Sequence, residues 1–423
     1  MKTKNLLLKS SLVLAFGMFN SNTIEAQISG ANAYLKGNYV EIGIDGLQGN
    51  EGAPFDSAAS VLPAGLHFRS HNAKFGFMAN PQMDSWTNYD GDFFTPGSPE
   101  NGWGLKINGA LRVNNAENGG FGLADTVITG SITSWAHTGT LTTTSWEGTD
   151  TITGIKVNID YSLGDNDLFY ITTVTVTNTS PATIKNIYYY RNLDPDNNVM
   201  LSGSFTTDQL LNSQFGSCPG CYAQVTATQT APWASYFSFL ANDSIMKAGF
   251  GGFSNRDGED LYNGTGFTQT VGATNTADEA IYLAYKIDSL TAGGSHKSSS
   301  SISDGSSRVF RFASLFKGTA VFAAQNAMQA AASVGINELQ NSNNSIAIYP
   351  NPFEDNTTIN LNPTINLSKA EFQIYDIMGK QIIALPVTTH NFTFNKGEMA
   401  QGLYFYKLVN NGSELSTGKF LVK

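Results

Sequence analysis

The chain has 423 residues and a formal net charge of −10, from 24 Lys and Arg against 34 Asp and Glu. Only 14% of the residues are charged, whereas 41% are hydrophobic and 12% are aromatic. This composition excludes disorder along most of the chain, because disordered segments are rich in charge and poor in aromatic residues. The acidic balance argues against nucleic acid as a partner, since nucleic-acid binding requires a basic surface. The 42 glycines and the many aromatic residues favour turns and strands, so we expect an all-β protein of two or three domains.

Residues 1–26 have the pattern of a secretory signal peptide. Lys2 and Lys4 form a positive start, Ser10 to Phe19 is a short apolar run, and Ala26 is the small residue that signal peptidase accepts. A transmembrane anchor is the alternative, but about ten apolar residues are too few for a hydrocarbon core that needs about 20. We therefore expect export by the general secretion machinery and no transmembrane segment in the mature chain.

Residues 27–335 are predicted to form a large β-sandwich body, with a subdomain boundary near 140–150 as an option. Alternating apolar and polar residues predict strands at Thr151–Tyr161, Phe169–Thr177, Ile184–Tyr190 and Ala280–Ile287. An Ala-rich run without Gly or Pro predicts one helix over Thr319–Ser333. Asn-Gly pairs, which favour tight hairpin turns, occur at Asn101-Gly102, Asn108-Gly109, Asn118-Gly119 and Asn263-Gly264.

The best candidate metal ligands follow one of these strands. Asp194, Asp196 and Asn198 are spaced closely enough to offer oxygen atoms to calcium, the cation that prefers such ligands. The alternative is that these side chains cap the turn by hydrogen bonding to their own backbone. The same capping role is the interpretation that we favour for the acidic turns Asp165–Asp167 and Asp257–Asp260.

The two cysteines form the sequence Cys218-Pro219-Gly220-Cys221. A Pro-Gly centre favours a type II turn, whose end Cα atoms approach within about 7 Å, and a disulfide requires about 4.4–6.8 Å. We therefore predict that Cys218 and Cys221 form a structural disulfide. A redox role is the alternative, but the sequence around the pair lacks the strand and helix of a thioredoxin-like site.

No catalytic constellation is recognisable in the body. The sequence contains no His-Glu-x-x-His and no Gly-x-Ser-x-Gly, and His67 and His71 lie four apart in a segment expected to be strand and turn. A glycosidase needs two facing carboxylates, and the sequence alone does not show which acidic residues meet. The sequence leaves the question of an enzyme open, and it favours a binding or structural role.

The last eighty or so residues contain short strand-like runs separated by turns, which is typical of a small immunoglobulin-like β-sandwich. Four motifs follow one another up to the C-terminus. They are Tyr349-Pro350-Asn351-Pro352-Phe353, Ile374 to Lys380, Gln401 to Leu408 and Gly418 to Lys423. This segment, from about 340 to 423, resembles the type A C-terminal sorting domain of the type IX secretion system. The residues that match its motifs are Tyr349, Pro350, Asn351, Pro352, Gly379, Lys380, Gly402, Tyr404, Gly418, Lys419 and Lys423.

The resemblance implies transport across the outer membrane of a Bacteroidetes-type bacterium by the type IX translocon. Family members then lose the sorting domain, and the cargo is released or attached to an anionic surface glycolipid. We therefore expect a secreted or cell-surface protein, with a linker at 336–345 and the sorting domain at 346–423.

The second half of the body has a weaker resemblance to galactose-mutarotase-like β-sandwiches. It is carried by the turn Asn178-Thr179-Ser180 after a strand, by Asp194-Pro195-Asp196, and by Leu290 to Gly294 before a strand. This resemblance makes a secreted carbohydrate-active enzyme the first alternative to a binding or structural body with a glycan ligand. A secreted peptidase is the second alternative.

Overall fold

The computed structural model describes residues 28–55, 62–69, 76–87, 96–116, 126–197, 199–217, 222–230, 234–252, 256–292, 307–333, 346–361, 365, 367–376, 380–411 and 413–423. Their contacts divide the chain into two compact units, which meet in sequence at residues 332 and 333. Both units are built from antiparallel sheets, so the all-β prediction is confirmed. Within these ranges, no helix combines the length and the apolar composition needed to cross a membrane. The predicted signal peptide and the linker lie outside the described residues.

The described residues of the body form three sheets. In chain order their strands are β1 (Ile28–Ser29), β2 (Asn32–Lys36), β3 (Val40–Ile44), β4 (Phe77–Ala79), β5 (Pro96–Ile107), β6 (Ala110–Asn115), β7 (Gly130–Thr138), β8 (Leu141–Asp150), β9 (Ile155–Gly164), β10 (Phe169–Asn178), β11 (Ile184–Pro195), β12 (Thr207–Ser213), β13 (Ala223–Gln229), β14 (Ser235–Ala241), β15 (Met246–Phe250), β16 (Thr274–Ala277), β17 (Ile281–Leu290) and β18 (Ser307–Leu315). The spatial orders are β1-β2-β3-β4, β16-β12-β13-β14-β18-β10-β9-β8-β7 and β15-β17-β11-β5-β6.

The nine-stranded and five-stranded sheets pack face to face around one core. In β9 every second residue is buried, because only one face of that strand meets the core. Aromatic rings join the two sheets, and the Tyr285 ring of β17 stacks on the Phe310 ring of β18 at 4.2 Å. β11 is buried on both faces over most of its length, and its outer face is covered by a short helix that contributes Leu261. This double burial explains why its sequence reads as a continuous aromatic run.

Three helices accompany the described part of the body: α1 (Val199–Ser202), α2 (Gly258–Asn263) and α3 (Val321–Ser333). The helix predicted near the end of the body is confirmed as α3, and a short 3-10 turn at Gly318–Ala320 precedes it. Ala324 and Met328, one helical turn apart, point into the main core.

The Asn-Gly pairs have three different roles. Asn108-Gly109 forms the tight hairpin between β5 and β6, with positive φ at both residues, as predicted. The hairpin predicted at Asn101-Gly102 is wrong, because this pair lies inside β5 and is paired on both sides. The prediction at Asn263-Gly264 is also wrong, because Gly264 is the left-handed cap that ends α2. Asn118-Gly119 lies outside the described residues.

The second unit is a small sandwich of two sheets. Its strands are β19 (Ile346–Tyr349), β20 (Asn356–Leu361), β21 (Ala370–Tyr375), β22 (Gln381–Val387), β23 (Asn391–Asn395), β24 (Gly402–Asn410) and β25 (Ser413–Val422). Their orders are β19-β20-β23 and β22-β21-β24-β25. Aromatic side chains from both sheets, including Phe372, Phe394 and Phe420, fill the space between them. The predicted small β-sandwich is therefore confirmed.

Candidate metal centre

Three aspartate side chains from two separate segments of the body meet at the end of β11. Asp194, Asp196 and Asp278 each offer one carboxylate oxygen, and these oxygens all lie within 4.8 Å of one another. The structure therefore brings together two of the ligands predicted from the sequence and adds Asp278, which the prediction missed. Asn198, the third predicted ligand, lies outside the described residues.

The register of the five-stranded sheet explains this meeting. β11 and β17 are antiparallel, and Leu193 is the partner of Ile281. Counting onward in the same register places Asp196 opposite Asp278. On its other side, β11 pairs with β5, and that register shifts between Leu193 and Pro195, around Asp194. Such an irregularity bends the strand and redirects side chains at the point where regular pairing ends.

Backbone hydrogen bonds hold the loop that carries Asp196. The Asp196 N–H donates to the Asp194 carbonyl at 3.1 Å, and the Val199 N–H donates to the Asp196 carbonyl at 3.4 Å. The Asn197 side chain donates to the Ala227 carbonyl of β13 at 3.0 Å. The loop is thus fixed to both sheets.

The site accumulates negative charge in a buried place. Asp194 is 7% exposed and Asp196 is 2% exposed. Burial raises the pKa of the Asp194 carboxyl well above its usual range, and the charges of Asp196, Asp278 and Glu100 raise it further. Burial also raises the pKa of Asp278. Among the described residues, no hydrogen bond or ion pair reaches the Asp194 carboxylate.

Two buried arginines of the body form ion pairs with glutamates. Arg256 Nη2 lies 2.7 Å from Glu100 Oε2, and both side chains are 1% exposed. In the second buried pair, Arg191 Nη2 is 3.1 Å from Glu51 Oε2. The Tyr170 hydroxyl also donates to Glu51 at 2.8 Å. These two glutamates are therefore held by arginines.

The Asp257 turn and two of the tryptophans have structural roles. Asp257 caps α2 by accepting a hydrogen bond from the Glu259 N–H at 2.9 Å, as the sequence predicted. Trp103 and Trp146 are fully buried and pack edge to face at 5.7 Å. Cys218 and Cys221 lie outside the described residues, and their disulfide stays a prediction.

In the second unit the first and last sequence motifs are bonded to each other. The Asn351 side chain accepts a hydrogen bond from the Leu421 N–H at 2.9 Å. Phe353 continues this contact: its N–H donates to the Leu421 carbonyl at 3.1 Å, and its carbonyl accepts from the Lys423 N–H at 2.8 Å. Pro350 and Pro352 lie in the same turn after β19. The opening motif therefore holds the end of the C-terminal strand by hydrogen bonds.

The remaining motif residues shape the sheet β22-β21-β24-β25. Gly418 is opposite Tyr406, and a Cβ atom at Gly418 would lie 2.5 Å from the Tyr406 hydroxyl, so the tyrosine fits only against glycine. The Tyr404 hydroxyl donates to the Ala400 carbonyl at 2.8 Å. Gly402 and Lys419 lie on β24 and β25, and the Lys380 N–H donates to Asp376 at 2.9 Å. Gly379 and the side chain of Tyr349 lie outside the description.

Comparison with known proteins identifies this second unit. The family model of the secretion system C-terminal sorting domain matches residues 347–423. No curated protein matches the chain in sequence. The protein is therefore a cargo of the type IX secretion machinery, and its location is the cell surface or the extracellular medium.

Solved structures that match the chain include three of carbohydrate-related proteins. A bacterial glucoamylase complexed with acarbose shares 9% identity at a TM-score of 0.35, over 55% of this chain and 29% of its own. A polysaccharide lyase shares 10% identity at a TM-score of 0.28, over 91% of this chain and 46% of its own. A putative aldose 1-epimerase from Klebsiella pneumoniae shares 11% identity at a TM-score of 0.28, over 69% of this chain and 80% of its own. The chain spans less than half the length of the first two, and TM-scores below 0.5 carry no argument about its activity.

Proposed function

We propose that the body of this exported protein is a calcium-stabilised module with a binding or structural role outside the cell. The observation that supports this proposal best is the meeting of three carboxylate oxygens within 4.8 Å, two of them on buried side chains. Calcium prefers several oxygen ligands and tolerates irregular geometry, which suits ligands from two loops. Asp194, Asp196 and Asp278 would bind the ion, with Asn198 as a further ligand proposed from the sequence.

A bound cation would join two parts of the body. Asp194 lies at the end of β11 and Asp196 follows that strand on the way to α1 and β12, whereas Asp278 lies between β16 and β17. One ion would therefore tie the end of the five-stranded sheet to the edge of the nine-stranded sheet. A ligand that binds only the folded state stabilises it by about 2.7 kcal/mol when its concentration is a hundredfold above Kd.

Thermal unfolding of the mature protein in calcium and in EDTA tests this proposal. We expect a higher melting temperature in calcium, and we expect Asp196→Asn and Asp278→Asn to lose that increase. In EDTA the Asp278→Asn variant should melt at or above the wild type, because it removes one of the charges that raise the pKa of Asp194. The control is Asp288→Asn, whose side chain is 86% exposed and which should respond to calcium like the wild type. Identical melting of the wild type in calcium and EDTA contradicts the proposal.

The sorting domain supports a second, separate proposal about the fate of the protein. After export the body would be released or attached to an anionic surface glycolipid, as the family resemblance implies. Immunoblots of surface and medium fractions distinguish the two fates, because a glycolipid-bound body migrates as a diffuse, larger species on the cell surface.

A further inference from the structure

A polar groove on the outer face of the nine-stranded sheet is separate from the metal centre. It has a volume of 440 Å³ and is lined by residues of β12, β13, β14 and β16. This volume lies within the range of small-ligand sites. The alternate residues of these strands, such as Leu211 and Ala227, point into the core on the opposite face.

The groove contains a row of side chains that are direct partners across four strands. Thr276 is opposite Asp208, Asp208 is opposite Thr228, and Thr228 is opposite Tyr236. Neighbouring strands are about 4.8 Å apart, so the row is roughly 14 Å long. The spacing is regular because the backbone ladders fix it, and this presents a rigid line of polar groups the length of a short oligosaccharide.

Several of these groups have hydrogen-bonding capacity to spare. Asp208 accepts from the Thr276 hydroxyl at 2.6 Å through one oxygen, which leaves its second oxygen as an acceptor. The Tyr236 hydroxyl accepts from Gln224 at 3.0 Å, so its own proton can be donated. The Asn212 side-chain oxygen is buried and has no hydrogen-bond partner among the described residues. Buried polar groups normally have partners, so a free acceptor lining a groove indicates a ligand.

The chemistry of the lining selects the class of ligand. Hydroxyl and amide groups dominate it, Asp208 is its one carboxylate, and none of the described lining residues is Lys or Arg. A negative ligand would meet repulsion from Asp208, and a metal ion would find a single charged ligand. A neutral ligand rich in hydroxyl groups can both donate to Asp208 and Asn212 and accept from Tyr236 and Thr228.

We propose that this groove binds a neutral saccharide chain along the row from Thr276 to Tyr236. The inference deepens the binding role proposed above, on which it rests, but it uses a different set of residues. Asp278 directly follows β16, so the outer strand of the groove adjoins the metal centre. Binding is therefore measured on the mature protein in calcium.

Isothermal titration with neutral hexasaccharides of glucose, xylose and mannose, in α and β linkage, tests this proposal. We expect at least one to bind, and we expect Asp208→Asn and Thr228→Val to weaken its binding at least tenfold. Thr175→Val is the matched control: Thr175 alternates with the core residues Val174 and Val176 on β10, so it lies on the outer face away from the groove, and its substitution should leave binding unchanged.

Two results would overturn the saccharide site. One is the absence of binding by every hexasaccharide at millimolar concentration, and the other is binding that both groove variants retain within twofold. The calcium response of the same variants is the second readout. Asp208→Asn and Thr228→Val should keep the increase in melting temperature with calcium. The saccharide proposal can therefore be contradicted while the calcium proposal is supported, or the reverse.

Discussion

In the sorting unit the opening and closing motifs bond directly to each other, through Asn351 and Leu421, whereas the aspartate cluster joins carboxylates that lie more than eighty residues apart in the body. The sorting motifs are recognisable as short strings because each one occupies a single strand or turn. Asp278 belongs to no such string, and only the register of β11 and β17 brings it to Asp196. The contrast teaches that the sorting signal can be recognised from short sequence motifs. The aspartate cluster of the body, by contrast, depends on how distant strands pair.

The largest expected effect concerns export. Deleting residues 349–423 should leave the body in the periplasm of its native host, and removing Lys419–Lys423 alone should do the same. The short truncation removes Leu421 and Lys423, so the opening motif loses its hydrogen bonds to the C-terminal strand. Immunoblots of periplasm, surface and medium measure the result, with Asp288→Asn as an exported control. Normal export of either truncated protein would contradict the role of the sorting motifs in export.

The next effect tests the buried ion pair between Arg191 and Glu51. Arg191→Met should cost about 3–5 kcal/mol of unfolding free energy, because Glu51 would remain buried without the positive charge that pairs with it. Adding Glu51→Gln should recover part of that loss. Lys156→Met, at a half-exposed pair with Glu147, should cost less than about 1 kcal/mol. Denaturant unfolding measures all of these, and equal costs for Arg191→Met and Lys156→Met would contradict the structural role of the buried pair.

A smaller effect, with a defined pH dependence, is expected at Asp150. Burial alone would raise the pKa of this carboxyl, but the Thr153 hydroxyl and the charge of Arg112, 3.1 Å away, hold the pKa below its usual value. The stability gained from the ionised group is therefore complete above the pKa of the unfolded chain, about 3.9, and is lost as the pH falls through the lower folded value. Asp150→Asn should cost about 2 kcal/mol near neutral pH.

Unfolding experiments at a series of pH values check this prediction. The difference between wild type and Asp150→Asn should shrink below about pH 4, where the wild-type carboxyl takes up its proton. A difference that stays constant down to low pH would show that shape rather than charge matters at this position.

The smallest effect is expected at the cysteines. Mass spectrometry of the unreduced protein should find Cys218 linked to Cys221. Replacing both by Ser should cost at most about 2 kcal/mol, because the closed loop is short. Free thiols in freshly exported protein would contradict the disulfide.

The sequence predicted the strand content well and the turns unevenly. The alternation in β10 was sufficient to place it, because one face of that strand meets the core. The predicted strand at Thr151–Tyr161 starts too early, since Ile152 is 77% exposed in the turn before β9. Asn101-Gly102 failed as a hairpin because Asn101 bonds to Arg191 and the Glu51 backbone, contacts that arise from distant segments.

The sequence also predicted the candidate sites unevenly. Asp194 and Asp196 stood out as a closely spaced pair after a strand, whereas Asp278 had only the weak signal of an acidic pair, with Glu279, before a predicted strand. The groove gave no signal at all, because its row crosses four strands and takes one residue from each. Spacing along a chain carries information about turns, and it carries none about partners across a sheet.

The metal centre is tested most directly by calcium titration calorimetry on the mature protein. We predict a single high-affinity site in the wild type and its loss in Asp278→Asn, with Asp288→Asn binding like the wild type. Loss at Asp278 would show that the two segments act as one site, because the sequence pair Asp194 and Asp196 is intact in that variant. An unchanged isotherm in Asp278→Asn, or no calcium binding by the wild type, would contradict the account.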